Sequence, residues 1–96
     1  MLHLIAQSPI DSAIFQRLGA GDDLLFLDKA VLNLLQKGQL NETLATLLAQ
    51  HQLYALADDL EVRGISSTEL IKGIIPIDYA DFVDLTVKNP LIQAWS

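Results

Sequence analysis

Three aspartates, Asp78, Asp81 and Asp84, recur at three-residue spacing and form the densest set of chemistry-bearing side chains in the chain. On a helix of 3.6 residues per turn they fall within about a third of the circumference. Three such carboxylates can hold a hard divalent cation. A simpler reading makes Asp78 an N-cap that accepts the free amide hydrogens of the first helical turn. Asp81 and Asp84 then form a solvated or partner-facing acidic side. No oxygen-rich loop accompanies the three, which favours the cap.

The two imidazoles offer little more. His3 stands in an apolar run and reads as a packed histidine, and His51 closes a helical pattern, where partial positive charge is favoured. A nucleophilic serine needs a constrained elbow, and the chain contains no Gly-x-Ser-x-Gly. Gly19-Ala20-Gly21 has the composition of a phosphate-binding turn. Such a turn must follow a strand and open a helix, whereas here a helical pattern precedes and a strand follows. The absence of cysteine excludes disulfides, thiolate metal sites and persulfide chemistry on this chain. Catalytic and cofactor-binding residues are therefore assigned to none. A metal-dependent enzyme built on Asp78, Asp81 and Asp84 is the alternative.

The elements that position these residues follow from periodicity. Leu2–Ala6, Leu24–Leu27, Leu53–Leu56 and Ile74–Ile77 are short apolar runs of buried-strand type, and Leu91–Trp95 is a fifth. Between them lie helical patterns. One opens at Ser8-Pro9, with Ser8 as N-cap and Ile10, Ala13, Ile14 and Leu18 inward. Asp28 is placed to cap a second, with Val31, Leu34 and Leu35 inward, and Asn41 a third, with Leu44, Leu47 and Leu48. Asp58 or Asp59 opens a brief helical turn ending at Arg63-Gly64, and Ser66–Glu69 is loop or turn chemistry. The last helix starts at Asp78, turns Phe82, Leu85 and, at the same three-residue spacing, Tyr79 inward, places Lys88 at its negative end and stops at Asn89-Pro90. Strands alternating with helices predict an α/β fold: one small three-layer domain over 1–96, with a mainly parallel sheet of about five strands and helices on both faces. Pro76 cannot donate to a sheet ladder, so its strand is an edge or its pairing stops there.

Composition points towards assembly. Apolar residues make up 51% of the 96 and charged residues 19%, so a small domain carries more apolar surface than it can bury alone. That surface implies contact with another subunit or, in isolation, self-association. Phe82, Ile92 and Trp95 are the interface candidates by size and apolarity, and for Trp95 a place at the end of the core is an equal alternative. The net charge of -6, with six scattered basic residues, argues against independent nucleic-acid binding. Neither a signal-peptide pattern nor a membrane-spanning run occurs, so the expected compartment is the cytoplasm.

Met1-Leu2-His3, Ser8-Pro9, Gly21-Asp22, Tyr54-Ala55-Leu56, Asp59-Leu60 and Arg63-Gly64 together form a pattern that runs nearly end to end. Ile77-Asp78-Tyr79-x-Asp81-Phe82-Val83-x-Leu85-Thr86, with Trp95 at the close, is its most specific part. The pattern resembles the TusB/DsrH family of sulfur-relay subunits. Asp28-Lys29-Ala30-Val31 differs from the Asp-Gly-Val common in that family. The resemblance implies a DsrE/F/H-like fold and a heterohexamer with TusC-like and TusD-like sister subunits. It implies that the complex receives persulfide sulfur from a TusA-like carrier and passes it to a TusE-like one, toward 2-thiolation of the tRNA wobble uridine. It also implies that the persulfide cysteine lies on the TusD/DsrE-type partner. A dissimilatory sulfur-oxidation DsrEFH complex is the neighbouring alternative, which the lack of cysteine disfavours.

Overall fold

Each apolar run forms a strand, and every connection between strands carries helical residues, so all five strands run parallel. The computed structural model describes residues 1–96. The strands are β1 (Leu2–Ile5), β2 (Asp23–Phe26), β3 (Gln52–Leu56), β4 (Ile75–Ile77) and β5 (Ile92–Trp95). The helices are α1 (Ala13–Gln16), α2 (Asn41–Leu47), α3 (Ala57–Val62) and α4 (Tyr79–Lys88), with 3-10 turns at Asp28–Leu34 and Ser67–Glu69. Sheet order is β4-β3-β2-β1-β5. Parallel neighbours need crossover connections, which the helices supply. The chain starts at β1, grows strand by strand to one edge at β4, and returns along α4 to place β5 as the other edge, beside β1. Pro76 lies on the edge strand β4, opposite Ala55, where its missing amide hydrogen costs the sheet least.

Alternation along the strands divides the core in two. Ile5, Leu24, Phe26, Leu53 and Ala55 face Ile14 of α1, Val31 and Leu34 of the first 3-10 turn, Leu44 of α2 and Leu60 of α3. Leu2, Leu25 and Ile77 face the other way and pack on Leu85, with Leu4, Leu27, Tyr54 and Phe82 at the margin. Leu85 and Phe82 are the only helical residues in that second cluster, and both belong to α4. One face of the sheet is thickly covered. The other carries a single helix.

The Asp78 cap forms as expected: its Oδ1 accepts the Asp81 amide hydrogen at 2.8 Å. Asn89 ends the helix, its Nδ2 donating to Leu85 O at 2.9 Å and to Asp23 Oδ2 at 3.1 Å. Three other capping expectations are corrected. Ser8 does not open α1; the Asp11 amide donates to Gln7 Oε1 and the Ala13 amide to Asp11 Oδ1, so side chains satisfy these donors in a turn and the helix begins later. Asp28 is not a cap but a left-handed residue with φ of 52°, its carboxylate taken by Arg63 Nη2 at 2.6 Å and its amide donating to Asp59 Oδ2 at 2.7 Å. Asn41 is the first residue inside α2, with its side chain donating to Gln36 O. Ser66 and Glu69, read as turn chemistry, form a reciprocal capping box.

Candidate functional site

The larger of two sets of buried polar groups is centred on Asp22, immediately before β2; the smaller joins Asp23 to Asn89. Asp22 Oδ2 accepts from His3 Nε2 at 2.8 Å and from the Gly19 amide at 2.8 Å, and Oδ1 accepts from the Met1 ammonium at 3.2 Å. His51 Nδ1 lies 3.0 Å from the Asp22 carbonyl and must donate to it, because a carbonyl oxygen only accepts. Burial alone would raise the Asp22 pKa. The Gly19 amide, His3 and the N-terminal ammonium outweigh it and lower the pKa from 3.8 to about 2. Asp22 is therefore a fixed anion that holds β1, the 19–22 turn and the entry to β3 together.

The state of His3 follows from its partners. Trp95 Nε1–H can only donate, and it lies 3.1 Å from His3 Nδ1, so Nδ1 carries the lone pair and Nε2 the proton given to Asp22. The indole stacks on the imidazole with centroids 6.3 Å apart and planes 19° from parallel, and the Arg17 guanidinium lies 5.9 Å from the indole centroid. A catalytic dyad needs a histidine nitrogen free to take a proton from a nucleophile. Here both nitrogens are engaged, the ring is buried, and no hydroxyl or thiol touches it. Every buried side-chain nitrogen and oxygen has a partner. The geometry is that of a polar pin joining β1 to β5.

The remaining candidates separate. The Gly19 amide hydrogen, which a phosphate cradle would have to leave open, is committed to Asp22. Asp78 uses Oδ1 as the helix cap, while Asp81 and Asp84 line a shallow depression with Tyr54, Ile77, Leu85 and Lys88. No three His, Asp or Glu side chains come together in a metal-holding group, which corrects the three-carboxylate alternative. The i, i+3, i+6 spacing spreads these side chains along the helix instead of pointing them at one atom.

Of the interface candidates, Phe82 is half-buried against the Leu2–Leu25–Ile77–Leu85 cluster; Tyr79, expected inward, is instead exposed and meets Phe82 edge-on at 5.9 Å, because six residues carry it about 120° round the helix from Leu85. Ile92 is exposed on β5, and Trp95 packs on the larger core cluster and also donates to His3. Asp22, the hub of the polar set, entered the sequence reading only through the Gly21-Asp22 pattern. Its partners His3 and His51 lie 19 and 29 residues away, so no local spacing announces it.

The chain is thus a fully parallel five-stranded α/β domain in which the buried imidazole of His3 has both nitrogens engaged. The chain belongs to the DsrH family: the model described as "DsrH like protein" matches residues 7–91. It is 40% identical over 98 residues to the protein named TusB of Shigella flexneri, covering 99% of this chain and all of that one. The same identity and coverage relate it to the TusB protein of an Escherichia coli O139:H28 strain. Among solved structures, it is similar to the ychN protein of E. coli, with TM-score 0.79, 18% identity and coverage of 98% and 97% of the two chains. A Methanobacterium thermoautotrophicum protein of unknown function superposes with TM-score 0.73 at 9% identity, covering 98% and 96%. These two likenesses concern the fold.

Proposed function

We propose that this chain, acting as one domain over 1–96, is a non-catalytic subunit of a cytoplasmic sulfur relay of the TusBCD type, serving 2-thiolation of the tRNA wobble uridine. The observation that carries the reading is the full-length, 40% match to proteins named TusB. Sulfur transfer chemistry supports the positional role. An acceptor thiolate attacks the outer sulfur of a persulfide, a new S–S bond forms, the old one breaks, and the donor leaves as thiolate. Each station therefore needs a thiol, and this chain has no cysteine. The persulfide belongs on a TusD-like sister subunit. This chain, with a TusC-like sister, completes the heterohexamer and shapes the surface on which TusA-like and TusE-like carriers dock. The engaged nitrogens of His3 agree, since neither is free to take a proton from a nucleophile.

Deleting the gene tests the reading. Wobble 2-thiouridine in bulk tRNA, measured by nucleoside mass spectrometry, should fall severalfold and recover on complementation. An unchanged level would remove the tRNA role.

A further inference from the structure

His3 can take up a proton only at the expense of Trp95. Its Nδ1 accepts from Trp95 Nε1–H at 3.1 Å and its Nε2 donates to Asp22 Oδ2 at 2.8 Å, so the neutral ring is matched by one obligate donor and one anion. An added proton has one place to go, the Nδ1 lone pair, because Nε2 already carries one. Both ring nitrogens are then donors. The Asp22 bond survives and becomes charge-assisted at both ends. The Trp95 bond does not survive: two N–H groups would face each other across 3.1 Å, and the indole nitrogen cannot accept.

The surroundings decide which side chain gives way. His3 is buried in β1 between β2 and β5, in register with Leu24 and Gln93, and it cannot turn without giving up Asp22. Asp22 is itself fixed by the Gly19 amide and the Met1 ammonium. Trp95 is the member free to move. It belongs to the outer strand β5 and is only partly buried, against the larger core cluster. Its backbone is paired independently of its ring: Trp95 stands opposite Ile5, and the Ala6 amide donates to Trp95 O at 2.9 Å. The indole can therefore leave while β5 stays in the sheet.

The charges around the imidazole are few. The Asp22 carboxylate at Nε2 favours the imidazolium, and the Met1 ammonium on its other oxygen weakens that effect. Arg17, just beyond α1, sets its guanidinium 5.9 Å from the indole centroid and disfavours a second cation beside the same ring. His51, at the entry to β3, reaches only the Asp22 carbonyl. No other ionisable group is hydrogen-bonded or ion-paired to His3.

We propose that His3 and Trp95 form a proton-controlled latch at the β1–β5 edge: neutral His3 holds the indole against the core, and protonated His3 releases it to solvent beside β5. The latch does not depend on the relay reading. Because the Trp95 bond is made only to neutral His3, its contribution to stability is complete above the His3 transition and lost as the pH falls through it.

The test follows the single tryptophan while the two histidines titrate. Emission and acrylamide quenching of Trp95 are read from about pH 8 to about pH 5, the span that brackets an ordinary imidazole, with circular dichroism at each point to establish that the fold is kept. NMR follows the ring protons of His3 in parallel, with His51→Gln to tell the two rings apart. His3→Gln is the counterpart that cannot titrate: its amide offers an oxygen to the indole N–H and an NH₂ group to Asp22, which keeps the latch shut. In wild type, emission should move to the red and quenching should rise roughly twofold over the pH interval in which His3 takes up its proton, and His3→Gln should show neither. Should His3→Gln misfold, Trp95→Phe takes its place: the stability it loses in urea near pH 8 should shrink by about half or more below the His3 transition, and an equal loss on both sides overturns the latch. Emission that stays constant while His3 protonates, or a change that persists in His3→Gln, overturns it too. So does a His3 that remains neutral across the whole range.

Discussion

Replacing Asp22 with asparagine keeps the shape of the polar pin and removes its charge. Three donors, the Met1 ammonium, His3 Nε2–H and the Gly19 amide, would then meet a side chain with one acceptor oxygen and an NH₂ group of its own. The magnitude follows from linkage. A carboxyl whose pKa is 3.8 unfolded and about 2 folded contributes roughly 2 kcal/mol when ionised in both states. For a chain of this size that is a fall in Tm of roughly 8–16 °C. Because the folded pKa is depressed, the contribution is complete above the unfolded value of 3.8 and disappears as the pH falls through about 2. The unfolded chain takes up the proton first as acid is added, so wild type loses this advantage and Asp22→Asn has none to lose. Urea unfolding of both proteins at several pH values, followed by the fluorescence of the single tryptophan Trp95, reads the difference directly. It should be about 2 kcal/mol near pH 6 and shrink towards zero near pH 2. A gap that stays constant over this range, or is below about 0.5 kcal/mol near pH 6, would refute the view of Asp22 as the charged hub.

Two further outcomes separate the pin and the cap from their rivals. Trp95→Phe preserves most of the packing but leaves His3 Nδ1 without its donor, and should cost about 1–2 kcal/mol in urea unfolding followed by circular dichroism; no measurable loss would mean that the indole N–H holds nothing. Asp78→Ala should cost about 1 kcal/mol through loss of the α4 cap and Asp78→Asn only a few tenths, with millimolar magnesium shifting the thermal melt of neither wild type nor variant; a saturable magnesium shift lost in Asp78→Ala would restore the cation reading.

What could be read from the sequence was what neighbouring residues settle among themselves. The apolar runs became strands because a four-residue run has few other ways to bury itself. Asp78 capped α4 because its acceptor and the Asp81 amide are three residues apart. Where that local logic failed, a nearer or a more distant partner had intervened. Gln7 took the Asp11 amide that Ser8 was expected to cap, and Asp28 was captured by Arg63, 35 positions on, in a left-handed conformation that glycine adopts more readily.

The sequence by itself determined the alternation of strands and helices, the lack of any thiol and the surplus of apolar residues. Only the tertiary structure decided that β5 returns beside β1, and with it that Trp95 meets His3 across 92 residues and that Pro76 falls on a sheet edge. The same return path left one face of the sheet with a single helix, α4. The reason is physical: periodicity and capping act over three or four residues, whereas strand order is a choice among crossovers whose cost grows only slowly with the length of chain between them.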